Sequence, residues 1–176
     1  SMMTCVIKYY YHKGPRTCWQ TYYPKEQGYW DGDAVVWGQG GGLSAFVALR
    51  EASVDTEQEE YYRSLEDDMF KGIQHFWVTD HGRTAYSVYP DSGNDRFYDD
   101  NVWIGLDMAK WYAISKDVLY LNQAKAVWDY LSQYGWDNTC GGGVHWKELN
   151  APSKSTHTCS TAPTGVLSCK LYLLTH

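Results

Sequence analysis

Apolar residues recur at helical spacing along most of this chain. Residues 57–77 set Tyr61, Tyr62, Leu65, Met69, Ile73 and Phe76 against Glu59, Arg63, Glu66, Asp67 and Lys71. That i, i+4, i+8 pattern predicts an outer helix with one buried face. Residues 117–134 repeat it. Tyr120, Leu121, Ala124, Val127, Trp128 and Leu131 face inward, Asn122, Lys125, Asp129 and Gln133 face outward, and Asp117 is placed to cap the start. Residues 100–115 are apolar nearly all round, which predicts a helix buried on several sides. A further helix is expected over residues 33–52, capped by Asp31 or Asp33, and a last one from Ser160 or Thr161, still apolar at residues 171–174.

Two stretches break the helical period. Residues 1–30 show none and read as an irregular arm, with Tyr22-Tyr23-Pro24 and Gly28-Tyr29-Trp30 as turn-like punctuation. Between residues 78 and 98, Thr84-Ala85-Tyr86-Ser87-Val88-Tyr89 alternates and is followed by Pro90-Asp91-Ser92-Gly93-Asn94-Asp95. This predicts a short strand or hairpin closed by turn residues.

The order of elements is repetitive: a helix apolar all round, a one-sided helix, a loop. Val36-Trp37 and Val102-Trp103 open comparable helices, and Trp77 and Trp136 close comparable partners. Lys110-Trp111-Tyr112-Ala113-Ile114-Ser115 returns 60 positions later as Lys170-Leu171-Tyr172-Leu173-Leu174-Thr175. Helical hairpins that stack bury a core between neighbours, and each inner helix needs an outer one. Two hairpins and half of a third do not close a ring. The expectation is an all-α, incomplete toroid over residues 31–176, the N-terminal portion of a longer chain. Its exposed inner helices could self-associate.

Glycines mark two places where a neighbour or ligand can come close. Gly38-Gln39-Gly40-Gly41-Gly42 costs about 1 kcal/mol per glycine relative to Ala inside a helix. It lacks the Gly-Lys-Ser/Thr ending of a phosphate loop. Gly141-Gly142-Gly143 lies between Trp136 and Trp146, a setting unlike a flexible linker.

The chain has 176 residues and a formal charge of −6. The length suits one domain with a real core. The acidity and the absence of a Lys/Arg cluster argue against a nucleic-acid partner. No apolar run approaches the roughly 20 residues that span a bilayer. Ser1-Met2-Met3 has no signal-peptide core and reads as a cloning scar. Five cysteines, Cys5, Cys18, Cys140, Cys159 and Cys169, have no CxxC spacing, so buried free thiols are expected, with a Cys140–Cys159 bridge left open. The histidines form no ligand pair, and neither a transition metal nor a cofactor is expected. Aromatic content is high, 16%, with 9 Trp and 16 Tyr. These residues offer an apolar face and a polar handle, a combination that suits carbohydrate.

The chemistry concentrates at Phe97-Tyr98-Asp99-Asp100-Asn101-Val102-Trp103. Asp is welcome where a helix starts, accepting free N–H groups and complementing the dipole. A lone Asp-Asp pair is usually such a cap, and Asp67-Asp68, in mid-helix, reads as surface. Asp99-Asp100 differs in its aromatic setting. Neighbours on a helix diverge by about 100°, so both can address one small ligand. Paired acids are what glycosidic cleavage requires: one protonates the leaving oxygen, and the other attacks or activates water.

These residues resemble glycoside hydrolase family 76, the bacterial and fungal α-1,6-mannanases. The resemblance runs through Phe97 to Trp103, then Tyr120-Leu121, Trp128-Asp129-Tyr130, Gly135-Trp136-Asp137 and Cys140-Gly141-Gly142-Gly143-Val144-His145-Trp146. It ends at Lys154 and Cys159-Ser160-Thr161-Ala162-Pro163. It implies an (α/α)6 barrel and a retaining endo-hydrolase of α-1,6-linked mannan, secreted, periplasmic or cell-surface. It also implies Asp99 as nucleophile and Asp100 as acid/base. Trp37, Tyr98, Asn101, Trp103, Gly141, Gly142, Gly143, His145 and Trp146 are expected to bind substrate. A non-catalytic glycan-binding module is the alternative. A diphosphate-binding Asp-rich helix is disfavoured because no further acid stands at Val102, Trp103 or Ile104 to complete a magnesium site.

Overall fold

A computed structural model describes residues 2–13, 16–21, 32–93, 95–148 and 155–176. The turns expected at residues 22–24 and 28–30, the Asp31 cap and Lys154 lie outside the described residues. Two short elements occupy the stretch expected to be an irregular arm. Helix α1 (Met2–Tyr10) leads into a hairpin of β1 (Tyr11–Lys13) and β2 (Thr17–Trp19), with Tyr11 opposite Trp19. Helices this short are marginal alone and are held by packing. Ile7 of α1 and Trp19 of β2 join the main core.

Helix α2 (Val36–Ser53) follows. Asp33 does not cap it: its carboxylate pairs with Arg16 at 3.1 Å and accepts from Gln20 Nε2 at 2.9 Å, and Val35 stands at the helix start without a side-chain cap. The glycine run has a steric use. A Cβ on Gly42 would lie 2.3 Å from the Trp19 indole, so only glycine lets that ring come so close to the helix.

The second predicted helix is two, α3 (Glu59–Arg63) and α4 (Glu66–Gln74), broken at Ser64–Leu65. The break shifts the helical phase. Tyr62 is buried as expected, while Tyr61 is 48% exposed. Asp67 is exposed and pairs with Lys71 at 3.4 Å. The expected hairpin is β3 (Trp77–Asp80) and β4 (Arg83–Tyr86), joined by His81 and Gly82, both at positive φ. Two such residues make the turn whose twist suits antiparallel strands.

Helix α5 (Tyr98–Ser115) is the centre of the molecule. Val102, Ile104, Met108, Ala109 and Trp111 are buried along one broad face, and Trp103 and Ala113 are exposed on the other. Helix α2 packs on one flank, where Phe46 meets Trp111 edge-on at 5.6 Å. Helices α6 (Val118–Tyr130) and α7 (Thr158–Thr175) pack on others. Trp111 stacks on Tyr120 of α6 at 4.1 Å and donates its Nε1–H to Glu66 of α4, which also pairs with buried Arg50 at 2.7 Å. Asp117 caps α6 by accepting from the Leu119 N–H, as predicted. Helices α5 and α7 have the same length and begin 60 positions apart, the interval of the sequence repeat. The molecule is thus mostly helical, with α5 packed between α2 and α7.

After α6 the chain widens into a π-helical turn, Leu131–Gly135, then forms β5 (Trp136–Asp137) and β6 (Gly143–Val144), an antiparallel pair around the glycine run. Cys5, Cys159 and Cys169 are free and exposed. Only Cys18 among the described thiols is buried, contrary to the expectation of buried thiols; Cys159 is free, and the Cys140 side chain lies outside what the structure describes.

Candidate active site

The backbone brings two distant segments together at the N-terminal end of α5. Residues 96–98 run strand-like beside residues 146–148: Glu148 N–H donates to the Arg96 carbonyl at 2.9 Å, Phe97 bridges to Lys147, and Tyr98 N–H donates to the Trp146 carbonyl at 2.8 Å. A helix start has unpaired N–H groups, and this ladder takes up one of them. Asp99 and Asp100 therefore occupy the first turn of α5, at the positive end of its dipole, while Phe97 stands before the helix with extended backbone.

The two carboxyls meet different surroundings. Asp99 Oδ2 accepts from the Trp146 indole Nε1–H at 2.9 Å, and its Oδ1 accepts from the Asp100 backbone N–H at 3.0 Å. That indole is framed by Phe97, with ring centroids 4.9 Å apart, and by His157, stacked at 5.8 Å. Asp100 instead turns into a groove of about 410 Å³ between α2 and α5. Val36, Trp37, Gly38, Gly40, Gly41, Ser44 and Trp103 form the remaining walls. Burial there, reinforced by the negative charge of Asp99, pushes the Asp100 carboxyl up to about 7. One acid is oriented by an N–H donor, and its neighbour keeps its proton near neutrality.

Trp37 and Trp103 flank the groove with exposed indoles, and Trp146 is exposed beside Asp99. Gly142 sits at φ 94°, where an added Cβ would also strike Trp136 at 2.8 Å, so this tight turn requires glycine. Gly141 is exposed next to it, while Gly143 is buried against Thr156. His145 faces Asp137 at 3.5 Å, and its Nδ1 lies 3.0 Å from the Ser155 carbonyl.

Besides Gly143, two expected substrate contacts with polar side chains are buried. Asn101 is 0% exposed, with its amide donating to the Tyr86 and Phe97 carbonyls and its Oδ1 accepting from the Tyr86 N–H. Its polar atoms are already paired inside the protein. Tyr98 is also buried: its hydroxyl donates to the Tyr134 carbonyl at 2.8 Å and its ring stacks on Tyr130. Both residues fix the helix start rather than face the groove.

Sequence reasoning missed a third acid. Asp107, two turns below Asp100 on α5, accepts from the hydroxyl of Ser44, a groove-lining residue, and burial pushes its carboxyl up to about 7. The i, i+7 spacing from Asp100 was a signal for it. It also missed Glu148 and Arg96, whose pairing spans two elements and leaves no periodic trace. Among the described residues no group of three His, Cys, Asp or Glu is placed to hold a metal ion, and no helix is long and apolar enough to cross a membrane.

Comparison with known proteins gives a consistent picture. The model of glycosyl hydrolase family 76 matches residues 1–176. A family 76 glycoside hydrolase from a bovine Bacteroides thetaiotaomicron strain superposes with a TM-score of 0.93 at 98% identity, over 99% of this chain and 37% of that one. The family 76 mannosidase Bt3792 from Bacteroides thetaiotaomicron VPI-5482 superposes at 0.92 with 61% identity, over 98% of this chain and 46% of that one. A more distant structure shares the fold. It is an inactive variant, with two aspartates replaced by asparagine, of the α-1,6-mannanase GH76A of Salegentibacter sp. HEL1_6, in complex with α-1,6-mannotriose. It matches at a TM-score of 0.70 and 18% identity, over 99% of this chain and 44% of that one. This chain therefore spans less than half the length of these relatives. A search of curated proteins finds no match.

Proposed function

The chain belongs to glycosyl hydrolase family 76, and we propose that it serves as an endo-α-1,6-mannanase that cleaves α-mannan with retention. The observation that carries this reading is the unequal environment of two adjacent carboxyls, Asp99 on the Trp146 indole and Asp100 in the groove. In the first step Asp99 attacks the anomeric carbon as the glycosidic C–O bond breaks, and neutral Asp100 gives its proton to the leaving oxygen. In the second step Asp100, now a carboxylate, takes a proton from water, and the water oxygen displaces Asp99 from the covalent mannosyl intermediate. Two inversions return the α configuration. Adjacent positions on one turn suit the short separation of retaining enzymes and leave little room for an inverting water.

Trp37, Trp103 and Trp146 would stack on sugar rings around the pair. The mannosidase and mannanase relatives support a mannan substrate. We read the inner helices α2, α5 and α7 as part of an (α/α)6 toroid whose remaining inner faces are covered by further hairpins or a second copy. We place the protein outside the cytoplasm, where mannan is met.

The exposed tryptophans and the share of the relatives that this chain spans favour one competing reading, glycan binding without turnover. Incubation with α-1,6-mannan separates the two. New reducing ends that disappear in Asp99→Asn and Asp100→Asn support hydrolysis. Retention of mannan without new reducing ends, unaffected by either change, supports binding alone.

A further inference from the structure

The segment that carries the indole on Asp99 runs two residues on into a charged cluster. Glu148, two residues after Trp146, is only 10% exposed in its side chain. Its Oε2 accepts from Arg96 Nε at 2.6 Å and from the Tyr130 hydroxyl at 3.0 Å, and its Oε1 accepts from Arg83 Nη1 at 2.8 Å. Arg96, 4% exposed, also donates to the Arg83 carbonyl at 2.8 Å and the Asp80 carbonyl at 3.2 Å. Arg83 lies over the Tyr134 ring at 4.5 Å, and Tyr130 stacks on Tyr98 at 5.1 Å. One carboxylate thereby ties the β3–β4 hairpin, the entrance to α5 and the end of α6 to the segment that carries Trp146.

Such a cluster is a costly way to gain stability. Removing the Glu148 and Arg96 charges from water offsets much of their attraction, and apolar side chains of similar volume would serve as well. Charge-assisted hydrogen bonds offer fixed direction instead. The segment they fix needs it. Trp146 meets Asp99 only if residues 146–148 keep their register against 96–98. A slip of one residue would turn the indole to the opposite face.

We propose that Glu148 is a positioning residue for Asp99, acting through Trp146. The role rests on the reading of Asp99 as nucleophile and goes beyond it. Glu148 is not among the residues that wall the groove. It holds the indole donor that, with the Asp100 N–H on the other oxygen, sets the orientation of the Asp99 carboxylate.

Indole ¹⁵N–¹H NMR tests this without turnover. The Trp146 signal is the one lost in Trp146→Phe. It should move when Asp99 becomes Asn. In Glu148→Gln it should already stand displaced, and adding Asp99→Asn should move it little further. Arg83→Met, at the more exposed end of the cluster, should displace it in the same direction by less, and serves if Glu148→Gln fails to fold. A Trp146 signal unmoved in folded Glu148→Gln or Arg83→Met, and still responsive to Asp99→Asn, overturns the proposal. With mannan as substrate, Glu148→Gln should lower kcat about 10- to 100-fold with KM within about threefold, the cost of a misplaced reacting group. If the parent chain cleaves no mannan, the assignment of Asp99 as nucleophile fails, while the NMR result still decides whether Glu148 holds Trp146 on it.

Discussion

The side-chain amide of Asn101 pairs with the backbone of Tyr86 as a neighbouring strand would: Oδ1 accepts from the Tyr86 N–H at 2.7 Å and Nδ2 donates to its carbonyl at 2.9 Å. The same Nδ2 donates to the Phe97 carbonyl at 2.7 Å. One residue thus joins the end of the β3–β4 hairpin to the first turn of α5, where the carboxyl pair sits. Replacing Asn101 by Ala strands buried N–H and C=O groups and should cost about 2–4 kcal/mol. Urea unfolding of Asn101→Ala against the parent checks this. A change under about 1 kcal/mol would mean that the pairing contributes little.

Asp100 sets the alkaline limit of the proposed reaction. It must carry its proton to act on the leaving oxygen, and its carboxyl is pushed up to about 7 by burial and by Asp99. Hydrolysis, measured as kcat/KM, should therefore hold below about pH 7 and fall about tenfold per unit above it. An activated aryl mannoside, whose leaving group needs no proton, should lose this limb in its first step. An alkaline limb that survives with that substrate would remove Asp100 from the acid role.

Asp107 makes the fold itself sensitive to pH. Its carboxyl is displaced upward from its ordinary 3.8 to about 7, chiefly by burial, with Ser44 and Lys110 opposing. Lys110 is itself paired with Glu51 of α2. A folded-state value raised above the unfolded one gives a contribution fully present below about pH 4 and lost as pH rises through about 7. Asn at this position escapes the loss. Asp107→Asn should match the parent near pH 4 and exceed it by about 2 kcal/mol at pH 8, less than the full displacement implies because water still screens the group. Equal stability at both pH values would contradict the sign argued here.

Gly72 tests the docking of the N-terminal hairpin on α4. A Cβ there would lie 2.0 Å from the Thr17 carbonyl oxygen, a backbone atom that cannot swing aside. Ala in a helix ordinarily gains about 1 kcal/mol over Gly. Here overpacking should outweigh that gain, and Gly72→Ala should lose about 2 kcal/mol and lower Tm by several degrees. A Tm that rises would show that the hairpin yields freely.

What the sequence revealed of this fold follows from the range of each interaction. The one-sided pattern of α6 and its Asp117 cap are local, and both stand as read. So does the 60-residue interval between α5 and α7, because repeated hairpins repeat their apolar positions. The break between α3 and α4 has no Pro or Gly to announce it, and α1 is stabilised by packing rather than by propensity. At the site, the carboxyl pair was visible because its aromatic neighbours are sequential. The burial of Tyr98 and Asn101 was not, since their partners Tyr134 and Tyr86 lie 36 and 15 positions away. Glu148 was invisible for the same reason, with Arg83 65 positions distant.

The most direct test of the account is the anomeric configuration of the first product. Proton NMR of α-1,6-mannan with freshly added protein, followed before mutarotation, should show the α anomer appearing first, as attack by Asp99 and deprotonation of water by Asp100 require. A β anomer appearing first would contradict the roles given to both residues.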